Sequence, residues 1–462
     1  MRWGKLPTHD STRERGKEID MHALSRRSFL KAAALVAGGL GLAACAPKEE
    51  VKEEIKKEEV KAPAEEIVLQ LWWHEYGEAG CQEASYRIAD EYSERTPGVK
   101  VESTWNPGNY NEKLYAALVA GTGPDAYESG VTIDKVVNNY AVALDEVYAG
   151  VEDDFKKADL SRVTVKGHKY GIAMMVDFQL LCTRTSMLEE AGVEHPKNWD
   201  ELVEAAKATT SGRRKGLFLA NDGGIGPMWQ KMPWSAGVNF FMEELDTPEV
   251  RFNVEETAKA WEKLRDLQEE NVLLIGAPTD WWDPAAFNQG LCAMQWIGFW
   301  SVPAIIEAVG DDYQLSALPP VPIGSNPGRY STPRAGWIAM VNGQSKHVPE
   351  AVALQKWMWI ENTDWQNEWN TGYGYKVPPR ASLVASNEKL ATGQPKVAAD
   401  HVQEYGLFQG TLWTGAMGTA CSDAVTNIVK NEADAMAELQ IAYDKCVSEL
   451  EKILEAYDKL PG

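Results

Sequence analysis

The residues best suited to chemistry in this chain are indoles set beside acids. There are 18 tryptophans in 462 residues. Two runs place them next to polar groups: Trp72-Trp73-His74-Glu75-Tyr76 and Trp281-Trp282-Asp283. Others stand at Trp234, Trp296, Trp300, Trp337 and Trp413. A flat indole covers the C–H face of a sugar ring, and a few carboxylates or amides bind its hydroxyl rim. The same set would also hold a cation by cation–π contact. For any single indole, core packing is the competing reading.

Few other reaction chemistries are legible. There is no HExxH, GxSxG, P-loop or GxGxxG. His74, His168, His195 and His347 show no metal-ligand spacing, so neither a metal nor a cofactor is called for. A glycosidase needs two placed carboxylates. A chain this rich in acids does not exclude such a pair by count, so an enzyme stays as a rival to a binding protein. The formal net charge of -22 disfavours nucleic acid and anionic lipid headgroups as partners. The six cysteines form no CxxC, and buried free thiols are expected, with room for one disulfide.

The N-terminal stretch reads as an address. Ser25-Arg26-Arg27-Ser28-Phe29-Leu30-Lys31 precedes an apolar run, 32–44, that is shorter than the roughly 20 residues a membrane span needs. It resembles a twin-arginine export signal, with Arg26 and Arg27 as the pair. Leu42-Ala43-Ala44-Cys45 looks like a lipobox, which makes Cys45 the lipidated first residue of the mature protein. Residues 1–20 are polar, and Met21 is an alternative start. Residues 45–66 follow as a charged tether too poor in apolar residues to fold.

From Ile67 onward strands and helices alternate, which predicts an α/β fold with a largely parallel sheet. Strands are expected at 67–72, 99–103, 126–128 and 170–172, and helices at 82–95, 110–120, 254–270 and 431–460. Asn198 and Glu201 fit a capping box opening another helix. Ligands bind beyond the carboxyl ends of strands in such sheets, which makes the Trp73–Tyr76 loop, with Glu75, a natural site position. Pro and Gly cluster at 318–333, a place for the chain to cross between lobes.

Six ordered segments carry a family resemblance: Trp72-Trp73-His74; Thr96-Pro97-Gly98-Val99-Lys100-Val101; Tyr115 to Gly121 with Pro124-Asp125; Tyr170-Gly171-Ile172 with Asp177, Met187-Leu188-Glu189-Glu190-Ala191-Gly192 and Trp199-Asp200-Glu201-Leu202; Ala286 to Gly290 with Gly298-Phe299-Trp300; and Gly372-Tyr373 through Pro378-Pro379-Arg380. Together the chain resembles the bacterial extracellular solute-binding proteins that include maltose and oligosaccharide receptors. It departs from them at Thr183-Arg184-Thr185, where many relatives carry Tyr-Asn-Lys.

The resemblance implies a two-lobed periplasmic-binding-protein fold of type II, each lobe a mixed sheet flanked by helices. Lobe 1 would take 67–175 and 328–365, and lobe 2 would take 176–327 and 366–462. It also implies a monomeric, lipid-anchored receptor at the outer face of the cytoplasmic membrane. Such a receptor closes its lobes on a sugar and passes it to an ABC permease. The implied ligand-binding residues are Trp73, Trp300, Trp337, Asp177 at the first crossover and Tyr373. Glu75, Asp125, Glu128, Trp234, Trp282 and Asp283 join them as further contacts, and Arg380 either bridges lobes or pairs with a surface acid. The alternative ligand is a cation such as a polyamine.

Overall fold

Alternation builds the first strand. In Ile67–His74 the side chains of Leu69, Leu71 and Trp73 turn into the core and their neighbours turn out. Helix Cys81–Arg95 follows, burying Cys81, Ala84, Ser85, Ile88, Ala89 and Tyr92 on one stripe. Arg95 sits in its last turn, where a cation suits the helix dipole. The chain then reverses through Gly98, whose φ of 87° favours glycine. The computed structural model describes residues 66–242 and 248–460. The export and lipidation calls at Arg26, Arg27 and Cys45 lie outside those residues, as does the tether up to 65.

Two mixed sheets organise the chain. The first orders strands Val99–Asn106, Ile67–His74, Ala126–Ser129, Ile338–Val341 and Ile172–Ala173. Its first three strands are parallel, Ile338–Val341 runs against them, and Ile172–Ala173, antiparallel to that strand, runs with the first three. The second sheet orders Gln314–Ser316, Gln179–Thr183, Cys292–Gly298 and Lys215–Phe218. Here only the pairing of Cys292–Gly298 with Lys215–Phe218 is parallel. The largely parallel sheet read from the strand–helix alternation is therefore mixed in both halves. Strands returning from elsewhere in the chain enter in the opposite sense, which local periodicity does not encode.

Three extended segments link the halves. Residues 174–178 run from the first sheet to the second, and 317–337 return. The third follows helix Thr363–Thr371, whose Trp365 and Trp369 pack on Trp73 of the first sheet. It leads to helix Gly393–Tyr405, where Gln394 and His401 accept the backbone N–H groups of Leu315 and Ala317 at 2.8 and 2.9 Å.

Two local expectations change. Asn198 caps helix Trp199–Thr209 by accepting the Glu201 N–H at 2.9 Å, but Glu201 reaches one residue further back, to the N–H of Lys197 at 2.8 Å. The helix expected at 431–460 is the second arm of a hairpin, Gly415–Asn431 and Ala435–Tyr457. Glu432 breaks it with a φ of 53°, and Asp434 restarts it by accepting the Ala437 N–H at 2.8 Å. Among the described residues no helix is long and apolar enough to cross a membrane.

Candidate functional site

The first sheet delivers its acids at the carboxyl ends of its parallel strands. Glu128 is 2% exposed at the end of Ala126–Ser129. Its Oε1 accepts the His74 backbone N–H and His74 Nδ1, both at 2.6 Å, and its Oε2 accepts Tyr76 Oη at 2.5 Å. Burial and then the Glu128 charge push the Tyr76 phenol well above its ordinary pKa. The His74 ring lies nearly parallel to Trp337, centroids 3.9 Å apart at 23°. Tyr110 meets Trp337 edge-on at 5.7 Å and donates to the Glu128 carbonyl at 2.8 Å. One indole face is thus braced by a ring that is itself fixed by a buried carboxylate.

The hinge adds the second set. Val176 and Val377 exchange backbone hydrogen bonds of 2.8 and 3.1 Å, and Asp177 and Ala335 exchange bonds of 3.1 and 2.9 Å. Continuing the first register places Asp177 level with Lys376. Asp177 Oδ1 is buried with no hydrogen-bond partner among the described residues. Burial raises its pKa to about 6 from an ordinary 3.8, with Lys376 opposing the rise and Glu78 adding to it. Lys376 is itself buried, pairs with Glu78, and lies 5.3 Å above the Tyr76 ring. Desolvation works against its ammonium, but Glu78 and Asp177 more than offset it and its pKa rises.

The second sheet supplies indoles. Phe299 N donates to Phe178 O at 3.0 Å just past the Gly298–Gln179 pair, and the chain then turns tightly through Phe299–Ser301, which carries Trp300. The Trp300 ring folds over Gly298, where a Cβ would lie 2.1 Å from it. Trp300 Nε1 donates to the Trp282 carbonyl at 3.1 Å, and Trp281 meets Trp300 edge-on at 6.1 Å. Gly374 joins the two halves: a Cβ there would lie 2.7 Å from Glu78 Oε1 and 2.9 Å from the Trp300 carbonyl.

Of the residues expected at the site, Glu128, Asp177, Trp337, Trp282 and Trp300 converge around this hinge. Trp282 is 50% exposed. Asp283 turns its carboxylate to the Ala285 N–H at 2.7 Å, where a short helix begins. Tyr373 packs on Gly80 and hydrogen-bonds Glu368. Glu75 is exposed and accepts the Gly108 N–H at 3.4 Å. Three residues lie elsewhere. Trp73 is 1% exposed, walled in by Trp359, Trp365 and Trp369. Trp234 is buried in a core. Asp125 is held by the Gln70 N–H at 2.7 Å and by Ser345, below the strand ends. Arg380 ties to Asp154 at 2.8 Å.

Sequence reasoning missed Glu78 and Lys376, and also the clamp behind them. Arg334 grips Asp159 through two bonds of 2.9 and 2.7 Å. Arg162 shares that acid at 3.3 Å and donates to the carbonyls of Met175 and Gly336 at 3.1 and 2.6 Å. It thereby fastens two crossing segments together. The sole signal for Lys376 was its place within the Gly372–Arg380 segment. Two surface hollows of about 510 and 600 Å³ lie away from the hinge, beside helices Trp199–Thr209 and Ala435–Tyr457, and hold none of these residues.

Two mixed α/β halves, three crossing strands and a site at the crossing define the two-lobed periplasmic-binding-protein fold. Residues 79–358, more than half of the chain, match the model of the bacterial extracellular solute-binding protein family, and the chain belongs to that family. The family is one of substrate-binding proteins, not enzymes. Solved structures share the fold. An ABC transporter solute-binding protein from Thermotoga lettingae, bound with alpha-D-tagatose, is 20% identical with a TM-score of 0.70, over 83% of this chain and 100% of that one. Maltose-bound T. maritima MalE3 is 18% identical with a TM-score of 0.70, over 84% and 100%. The GacH receptor of Streptomyces glaucescens, solved unliganded and with acarbose, is 21% identical with a TM-score of 0.69, over 84% and 99%.

Proposed function

We propose that the protein is the sugar receptor of an ABC importer, closing its lobes on a mono- or oligosaccharide and delivering it to the permease. The observation that carries this is an unpartnered carboxylate oxygen on Asp177 at a hinge that also gathers an indole from each half, Trp337 stacked on His74 and Trp300 with its carbonyl close to Gly374. Ring faces rest on the indoles, and a hydroxyl of the guest donates to Asp177. Trp282 and Asp283 extend the site at its rim, and Tyr373 and Glu75 border it. The neighbours bound to tagatose, maltose and acarbose support this ligand class.

A cationic ligand fits less well. Lys376 already places a buried ammonium beside Glu78 and Asp177, so those acids have a counter-charge in the protein itself.

We place the third crossing after helix Thr363–Thr371, at 373–378, because that helix packs on Trp73. The first crossing stays at 175. The lipid on Cys45 and the 45–66 tether would hold this receptor, as a monomer, at the outer face of the cytoplasmic membrane. A thermal-shift screen with product analysis tests the reading, since a ligand stabilises only the state that binds it. Sugar-dependent stabilisation without turnover supports it. Turnover of the sugar, or stabilisation by polyamines alone, overturns it.

A further inference from the structure

All five described cysteines are buried and free: Cys81, Cys182, Cys292, Cys421 and Cys446. Their settings differ. Cys81 lies close to Glu78 and Lys376. Cys182 and Cys292 sit on neighbouring strands, but the register pairs Cys182 with Gln295, three residues along from Cys292. At ~3.3 Å per residue that offset exceeds the Cα separation a disulfide spans.

Cys421 and Cys446 are placed otherwise. They stand on the two arms of the hairpin Gly415–Asn431 and Ala435–Tyr457. Two cross-links set its register: Asn427 Nδ2 donates to Glu438 Oε2 at 2.9 Å near the turn, and Cys446 Sγ donates to the Met417 carbonyl at 3.7 Å farther out. Counted outward from the Glu432–Asp434 turn, Ile428 is level with Leu439, Val425 with Ala442, and Cys421 with Cys446. The facing residues between and beside them are small: Ala420, Ala424 and Ala442 are all buried. Small side chains let two helices approach closely, which is what a disulfide between them needs. Burial and then the neighbouring Cys446 push the Cys421 thiol well above its ordinary pKa, in keeping with two sulfurs set side by side.

We infer that Cys421 and Cys446 form a disulfide when the protein meets an oxidising compartment, stapling its C-terminal hairpin. The oxidant is a disulfide, either a small one such as oxidised glutathione or that of a thiol oxidoreductase. One thiolate attacks it, giving a mixed disulfide and one released thiol. The second cysteine displaces the remaining sulfur. The S–S bond forms, two protons leave the cysteines, and two electrons reduce the oxidant to two thiols. Because both sulfurs are buried, the exchange proceeds when the hairpin opens locally.

The test uses the full chain, purified folded under reducing conditions. It is held to equilibrium in a buffer of oxidised and reduced glutathione, with urea below the unfolding transition. It is then alkylated in denaturant and digested without reduction, and the outcome does not depend on where the protein resides. The expected result is one peptide pair joining Cys421 to Cys446, absent after reduction. The oxidised protein should also lose roughly 3–8 °C of Tm on reduction. A Cys421→Ala/Cys446→Ala double variant should show no change on reduction. Alkylation of both cysteines after oxidation, or a bond from either one to another cysteine, overturns the inference.

Discussion

Asp177 and Lys376 stand level on two antiparallel hinge strands, a half-buried acid and a buried ammonium joined through the Val176–Val377 bridge. The lysine's bond goes to Glu78, and one carboxylate oxygen of Asp177 keeps no partner among the described residues. A receptor gains from such an arrangement. The charge is held in place before the ligand arrives, and an acceptor waits for a donor.

This acid should be visible in stability. Its pKa is about 6 in the fold against an ordinary 3.8, chiefly because of burial. Between those values the folded chain holds a proton that the unfolded chain has released. Raising the pH through that window therefore removes stability. Asp177→Asn mimics the neutral acid at every pH. Its stability relative to the parent, measured by urea unfolding without ligand, should rise by about 2–3 kcal/mol from pH ~4 to pH ~7. A difference flat across that range contradicts the assignment.

Trp300 tests the other half of the site. Trp300→Ala should weaken sugar binding at least about tenfold, or about 1.4 kcal/mol, and leave the fold intact. Titration calorimetry reads the affinity and circular dichroism the fold. Unchanged affinity removes the residue from the site.

The two tryptophans at opposite extremes of exposure should behave oppositely. Trp73 is 1% exposed among three other indoles, so Trp73→Ala should cost about 3–5 kcal/mol of unfolding free energy. Trp282 is 50% exposed, so Trp282→Ala should move stability by less than about 0.5 kcal/mol while lowering affinity. Denaturant titrations compare them directly.

The clamp at Asp159 should be a stability centre. It is fully buried between Arg334 and Arg162. Asp159→Ala leaves two buried guanidiniums without a counter-charge and should cost about 3–5 kcal/mol. A loss below about 1 kcal/mol would show that water or a rearranged partner takes the acid's place.

Much of this was legible in the residues. The strand–helix alternation from Ile67 onward gave the α/β class, and the ordered motifs gave the family. Asp177 was singled out, and the structure sets it at the first crossing. Trp73 shows the limit: an indole at the end of a strand reads alike whether it faces a cleft or the Trp359–Trp365–Trp369 cluster. Those partners come from far along the chain. Lys376 and Glu78 were invisible for the same reason, since 298 residues separate the two partners in sequence. The helix expected at 431–460 is found at Ala435–Tyr457, while the arm before it, Gly415–Asn431, went unread; the left-handed Glu432 that ends that arm carries no compositional mark.

The most direct test is native mass spectrometry of protein recovered from its own host, followed by release and identification of whatever it carried. The account predicts a bound adduct of whole sugar units that is lost in Trp300→Ala. An amine-bearing adduct, or a sugar retained undiminished by that variant, would contradict it.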